Sequence, residues 1–379
     1  MPYTAPTVNY SATPSGTYTT LTGVESVIIN RGKKYFQDPY PQSTCVIELI
    51  PANSYTLAPA IGQFLDVRDA NSATSPCYFS GQIIDVERKY AIPYNSVTGS
   101  APADRIVITA TGALGVLGTD QKSVFPVYNA SVAYNLNNIG LNSGVTFYNI
   151  DNPVDVDDLS YTGGTLDLVN TLLRTAQLVC DDVDKRRGTD PGDIESVLTY
   201  QLGRDFSLGI AYGDTGAPQR FKQIEYLSSV QNTFTKVQVV APVSTATATS
   251  GSAPYNALVY NTLNATAGDV SSLAGYLVAL LSGQLTPVPY SIETDTTVSA
   301  SCTAVAVMAT EANLKSAIGQ TASITFRGST VSATVQGMSV RFYPDRASVQ
   351  LWFSPTLGSP FTLDSSALGV LDTNRLGYP

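Results

Sequence analysis

The chain has 379 residues, with 21 Lys and Arg against 30 Asp and Glu, a formal charge of −9, no histidine, four cysteines, 29 glycines and 22 prolines. Without histidine there is no Ser-His-Asp triad, no Cys-His dyad, no His-ligated zinc or haem, and no imidazole titrating near neutral pH. The charged fraction of 13% is about half the usual value for soluble proteins, and a pI near 4.5 argues against the basic face of a nucleic-acid binder.

Residues 1–22 are rich in Thr, Tyr, Ser and Pro without an apolar period, which predicts an extended N-terminal arm lying on a neighbouring subunit. The opening lacks the basic and apolar regions of a secretory signal, and no apolar run approaches the roughly 20 residues of a membrane span. The expectation is a protein made in a cytoplasm, without membrane insertion. Cys45, Cys77, Cys180 and Cys302 are widely and irregularly spaced, which predicts buried thiols rather than a zinc ribbon or redox pair.

From Gly23 the pattern is β: Val27–Ile29, Thr44–Ile50, Phe64–Val67, Cys77–Phe79, Gln82–Val86 and Arg105–Ala110, separated by turn signals such as Asp38-Pro39 and Pro93-Tyr94-Asn95. This predicts a small antiparallel β-barrel or sandwich over 23–120. Residues 121–240 read as a mixed α/β middle. Leu168, Val169, Leu172, Leu173 and Ala176 share one helical face, with Thr165 as N-cap. Residues 181–193 read as a charged loop, Ile194–Leu202 as a second helix, and Phe221–Tyr226 and Thr235–Val240 as strands. The Ser/Thr/Ala stretch 241–254 reads as a linker. Residues 255–379 are expected to hold helices over Val270–Leu281, capped by Asp269, and over Glu311–Ile318, capped by Thr310, followed by a second β-barrel.

An internal echo supports that second barrel. Gly62-Gln63, Gly81-Gln82 and Asp104-Arg105 recur in order as Gly319-Gln320, Gln336-Gly337 and Asp345-Arg346, with the glycine interval matched to within one residue. A chance match in a Gly-rich β chain is the alternative. If the echo is structural, three chains would present six quasi-equivalent barrels in a ring.

Three stretches carry a family resemblance. They are Val27–Lys34 with Asp38-Pro39-Tyr40 and the strand Cys45–Ile50; Tyr78–Val86 followed by Val107–Ala110 and Gly112-Ala113-Leu114; and Phe361-Thr362-Leu363-Asp364 with Gly369–Tyr378. In order, and across nearly the whole chain, they resemble the tail-tip minor tail proteins of long-tailed bacteriophages, which are related to the baseplate-hub family. The resemblance implies a mainly β, hub-like fold of two small antiparallel β-barrels flanking a helical/strand middle. It also implies a homotrimer that adapts a six-fold tail tube to a three-fold tip in the virion, is assembled in the host cytoplasm, and contacts distal tail or tail-tube proteins and other tail-tip and fibre proteins. No peptidase, lysozyme-like or carbohydrate-binding extension is expected, and no cofactor.

Interface residues are expected at Tyr10 and Tyr18 of the arm, at the Arg31-Gly32 turn, and at Asp372, Asn374 and Arg375. Subunit contact is weighed against sugar binding for the arm tyrosines. Passing DNA would be repelled by an acidic lumen rather than bound. The alternative from another class is a receptor-binding or polysaccharide-degrading tail protein using a carboxylate pair, drawn from Asp155, Asp157, Asp158, Asp181, Asp182, Asp184 and Asp190. The bland reading of those carboxylates is a solvated loop neutralised by Lys185, Arg186 and Arg187. A third possibility is a capsid-decoration or adhesin-like module. The 181–193 stretch lacks the ligand spacing of an EF-hand, and Trp352, within an apolar strand, is expected to pack rather than bind a ligand.

Overall fold

Alternation of apolar and polar residues makes strands where one face can be buried. Thr44–Leu49 does this plainly, burying Cys45, Ile47 and Leu49 and turning Thr44, Val46 and Glu48 outward. The computed structural model describes residues 3–13, 16–50, 59–70, 76–89, 104–119, 130–149, 155–156, 164–184, 195–201, 209–215, 219–227, 233–282, 288–310 and 313–356. The fold is mainly β with a smaller α/β middle. Among the described residues no helix is long and apolar enough to cross a membrane.

The largest sheet has 14 strands and contains one five-strand unit twice. In the first copy the spatial order is Phe64–Arg68, Cys77–Lys89, Arg105–Thr111, Thr44–Leu49, Val24–Gly32, every neighbour antiparallel. In the second it is Thr321–Phe326, Ser329–Phe342, Ala347–Pro355, Ser291–Asp295, Gln223–Glu225, again all antiparallel. In both, two early strands wait for a later three-strand meander, whose last strand pairs with the second of them.

Detail repeats as well. Gly62 and Gly319 both take positive φ, which costs a glycine little. The Gly62 N–H donates to Ile83 O at 2.8 Å and the Gly319 N–H to Val335 O at 2.7 Å. Each long strand carries a register shift, at Ile83/Asp85 and at Val335/Gly337. Such bulges bend a strand and increase its twist.

The two units are joined edge to edge. Val24–Gly32 pairs antiparallel with Ser329–Phe342, bringing Gly32 opposite Gly337 and Val27 opposite Phe342. A Cβ on Gly337 would lie 2.6 Å from Lys33 O and 2.7 Å from Lys33 N, so the backbones meet only because no side chain intervenes. In the second unit the pairing path returns to its first strand: Gln219–Arg220, just ahead of Gln223–Glu225, pairs parallel with Ala211–Gly213, which pairs parallel with Thr321–Phe326.

Among the described residues the middle holds a two-stranded ladder of Ala130–Ser131 and Asp155–Val156 and two larger sheets. Ala309–Thr310, Leu178–Asp184, Glu195–Gln201 and Val145–Asn149 form one, packed by the helices Val132–Ser143 and Thr165–Ala176. Thr245–Thr249, Lys236–Val240 and Ala257–Asn261 form the other, covered by the helix Ala267–Leu281. Thr266 caps that helix by accepting from the Asp269 N–H, and its hydroxyl donates to Asp269 Oδ2 at 2.5 Å. This reciprocal pairing satisfies an orphan donor of the first turn.

Several expectations are corrected. The arm lies on its own chain: Thr7–Ser11 pairs antiparallel with Phe64–Arg68, Val8 is buried, and the Leu21 N–H donates to Val8 O. Thr165 is the first helical residue, with Gly164 at the N-cap. Residues 195–201 form a strand instead of a helix, because a parallel place beside Val145–Asn149 and an antiparallel one beside Leu178–Asp184 were open. The helix expected after Thr310 is absent: 311–312 lie outside the described residues, and Asn313–Ile318 is not helical. The supposed linker contains the strand Thr245–Thr249, whose Thr/Ala alternation is itself a period-two signal. A domain boundary at 241–254 would also cut the second unit, since Gln223–Glu225 pairs with Ser291–Asp295.

Candidate functional site

The strand Leu178–Asp184 is buried along its whole length although it carries Asp181, Asp182 and Asp184. Buried carboxylates persist only when paired or hydrogen-bonded, and here the first β unit supplies the partners. Arg31, near the end of Val24–Gly32, forks onto Asp181: Nε donates to Oδ1 at 3.0 Å and Nη2 to Oδ2. Its third nitrogen donates to Ala306 O at 2.6 Å. Ser316 Oγ also donates to Asp181 Oδ2, and the Asp182 N–H to Oδ1 at 3.0 Å. Both charged side chains are fully shielded from solvent. Burial opposes the Arg31 charge, but Asp181 outweighs it and holds the guanidinium protonated.

A second fork parallels the first. Arg68 Nη2 and Nη1 donate to the two Asp184 oxygens at 2.9 and 3.3 Å, and its Nε to Asp66 Oδ2 at 2.9 Å. Asn9 Nδ2 donates to Asp66 Oδ1 at 2.8 Å, and Thr20 Oγ1 to Asn9 Oδ1 at 2.8 Å. The arm is thus tied into the same network. Arg31 and Arg68 together lock the α/β middle to the first β unit through bidentate guanidinium–carboxylate pairs.

Asp182 is the weak member. Its oxygens face the Ser43 hydroxyl and the Ala113 amide without a hydrogen bond of normal geometry. Burial, and then the neighbouring Asp181 charge, push its carboxyl up to about 6. A Cβ on Gly112 would lie 2.3 Å from Asp182 Oδ2, so glycine at 112 makes room for the carboxylate.

Beside this lock, Lys33 is buried between two rings, its Nζ 4.9 Å from the Phe36 centroid and 4.5 Å from the Tyr40 centroid, donating to Phe36 O at 2.6 Å. Burial pushes its ammonium down to about 7. Outward from it lies a cleft of about 560 Å³ along the joint of the two β units, walled by Asn30, Lys34, Pro39, Arg341, Gln350 and Trp352. Lys34 Nζ stands 5.1 Å above the Trp352 ring, and Trp352 itself is almost wholly packed.

Of the residues singled out from sequence, Arg31 is 1% exposed and spent on Asp181, so it forms an internal joint and not a surface for a neighbour. Gly32 sits at that joint, facing Gly337. Tyr10 and Tyr18 are half-buried, and Tyr10 lies in the strand paired with Phe64–Arg68. Asp372, Asn374 and Arg375 lie outside the described residues, as does the whole stretch 361–378. Asp181, Asp182 and Asp184 are neither solvated nor in a loop. Asp157, Asp158, Asp190 and Lys185, Arg186 and Arg187 lie outside the described residues, and of Asp155 only the backbone is described. The four cysteines are buried free thiols. Asp66, Arg68 and Asn9 were missed; the short Asp66-Val67-Arg68 alternation places both charges on one strand face, which was the available signal.

Similar folds exist among solved structures. A tail protein from Neisseria meningitidis MC58 superposes with a TM-score of 0.59 at 11% identity, covering 93% of this chain and 97% of that one. The 43 kDa tail protein of prophage MuSo2 from Shewanella oneidensis gives 0.57 at 10% identity, over 92% and 97%. An E. coli protein, c3393, described as a component of the type VI secretion system with structural similarity to the T4 bacteriophage tail proteins gp27 and gp5, gives 0.51 at 11% identity, over 89% and 74%. No protein-family model and no curated protein sequence matches the chain. The fold is therefore that of phage tail and hub-like proteins, shared in architecture with little sequence in common.

Proposed function

We propose that this chain is a structural component of a bacteriophage tail tip, a hub-like protein that assembles as a homotrimer and adapts the six-fold tail tube to a three-fold tip. The observation that carries the reading is the five-strand unit present twice in one chain. Three chains then offer six similar units around one axis, so a six-fold ring above and a three-fold assembly below can both be matched by the same molecule. The buried Arg31–Asp181 and Arg68–Asp184 pairs support it by fixing the middle against the first unit, as a load-transmitting adapter needs. Its neighbours in this reading are distal tail, tail-tube and fibre proteins, and its place is the virion, after assembly in the host cytoplasm. DNA passes a lumen lined by the acidic surface of a −9 chain without specific contacts, since like charge repels the phosphates.

The function is assembly and not catalysis. The carboxylates that a sugar-cleaving pair would draw on at 181, 182 and 184 are buried, and two of them are spent on arginine.

The test is the mass and symmetry of the purified protein by light scattering and negative-stain imaging, together with virion tails labelled for this chain. A three-fold ring with pseudo-six-fold density and a label at the tail end is the expected result. A monomer, or a label on capsid or fibres, overturns the reading.

A further inference from the structure

Among the described residues no strand pairs with either outer edge of the three-stranded sheet of the middle, and the ladder shows which groups point outward there. In the antiparallel pair, the Ser250 N–H donates to Thr235 O at 2.8 Å and the Ala241 N–H to Ser244 O at 2.9 Å. With Lys236 opposite Thr249 and Val240 opposite Thr245, the even-numbered residues of this strand carry the inward bonds. The N–H and C=O groups of Thr245, Thr247 and Thr249 therefore point away from the sheet. On the other side the strand Ala257–Asn261 runs parallel to Lys236–Val240. The Lys236 N–H donates to Asn256 O at 3.0 Å and the Thr262 N–H to Val240 O at 2.9 Å. The inward bonds again fall on even-numbered residues, and the backbones of Ala257, Val259 and Asn261 point outward.

All six outward-pointing residues are exposed, and Val259 is 57% exposed. Free edges are normally blunted by charge, proline or a covering element. Neither Thr245–Thr249 nor Ala257–Asn261 contains a charged residue or a proline. The two edges have the same length, and the helix Ala267–Leu281 packs on one face of the sheet, against Thr245–Thr249 and Lys236–Val240. One copy of this chain thus presents a strand edge that another copy's opposite edge can complete.

We infer that neighbouring copies join by strand addition, the Thr245–Thr249 edge of one pairing with the Ala257–Asn261 edge of the next. Because the edges differ, the contact is head-to-tail and generates a ring when the rotation closes. The inference rests on the homotrimer of the preceding section and names the surface that builds it.

Proline is tolerated on an edge where its missing N–H faced outward, so Thr247→Pro and Val259→Pro each remove one outward donor and leave the inward ladder intact. If wild type is trimeric, each variant alone is expected to fall to the 40.1 kDa of a single chain. Each still keeps one intact edge, of the opposite kind, so an equimolar mixture is expected to form a species of twice that mass. Variants that retain the trimer mass overturn the strand-edge contact and leave the homotrimer standing. A wild-type protein that is monomeric overturns both. A measurement without any substitution stands beside these should a variant not fold: hydrogen exchange on the wild-type assembly. Slow exchange at the Thr245, Thr247, Thr249 and Val259 amides is expected, and exchange there at the rate of open amides overturns the contact.

Discussion

Replacing Arg31 with methionine is the sharpest perturbation of the lock. Methionine keeps much of the length and none of the charge, so the change removes two hydrogen bonds to Asp181 and one to Ala306 O while leaving the cavity largely filled. Breaking a buried ion pair by deleting one partner costs about 3–5 kcal/mol, because the other charge stays buried without compensation. Asp181 keeps the Ser316 hydroxyl and the Asp182 amide, which puts the expected loss nearer 3 than 5. Asp181→Leu strands a guanidinium with Ala306 O alone and is expected to cost at least as much. The double variant should lose much less than the sum of the two, giving a coupling energy of about 2 kcal/mol or more in the range seen for contacting pairs. Urea unfolding followed by the fluorescence of Trp352 is a suitable assay. It is the single tryptophan, and its strand pairs with Ser329–Phe342, which in turn pairs with Val24–Gly32. A loss under about 1 kcal/mol for Arg31→Met, or additive single variants, would refute the claim that this pair holds the middle to the β units.

Other expectations follow from the same region. Asp182→Asn should stabilise the protein at pH 7: the carboxyl is raised from 3.8 to about 6 in the fold, so wild-type stability relative to the variant falls as pH rises through that window, by on the order of 3 kcal/mol. Thermal midpoints that shift in parallel between pH 4 and 7 would contradict it. Lys33 titrates near 7 when folded against 10.5 when unfolded. The unfolded chain therefore holds the extra proton between those values, and wild-type stability relative to Lys33→Met rises with pH across them; a flat difference measured by chemical unfolding from pH 7 to 10 is the refuting result. Gly337→Ala should destabilise by about 2 kcal/mol or more, since its Cβ would meet the Lys33 backbone and Arg31 O within 3 Å, and an unchanged urea midpoint would show that the two units do not meet there.

By itself the sequence determined the local elements. Period-two alternation located the strands around residues 27, 44, 64, 77 and 105, because half-burial is written into adjacent residues. The 3.6 period located the helix Thr165–Ala176, and the repeated Gly-Gln and Asp-Arg dipeptides marked a real duplication. Tertiary structure alone decided what depends on partners far along the chain. Arg31 looked like an exposed turn residue until Asp181, 150 positions away, took its charge. The Asp181–Asp184 run looked like a solvated loop, since burial of acids is favourable only once guanidinium groups from other strands arrive. Residues 195–201 have a composition that allows helix or strand, and open places beside two neighbours selected the strand. The second five-strand unit begins at Gln223, before the stretch that composition marked as a boundary, because strand pairing between Gln223–Glu225 and Ser291–Asp295 is a long-range contact. Propensity and periodicity act over a few residues, whereas pairing partners and charge compensation are chosen by the folded chain as a whole.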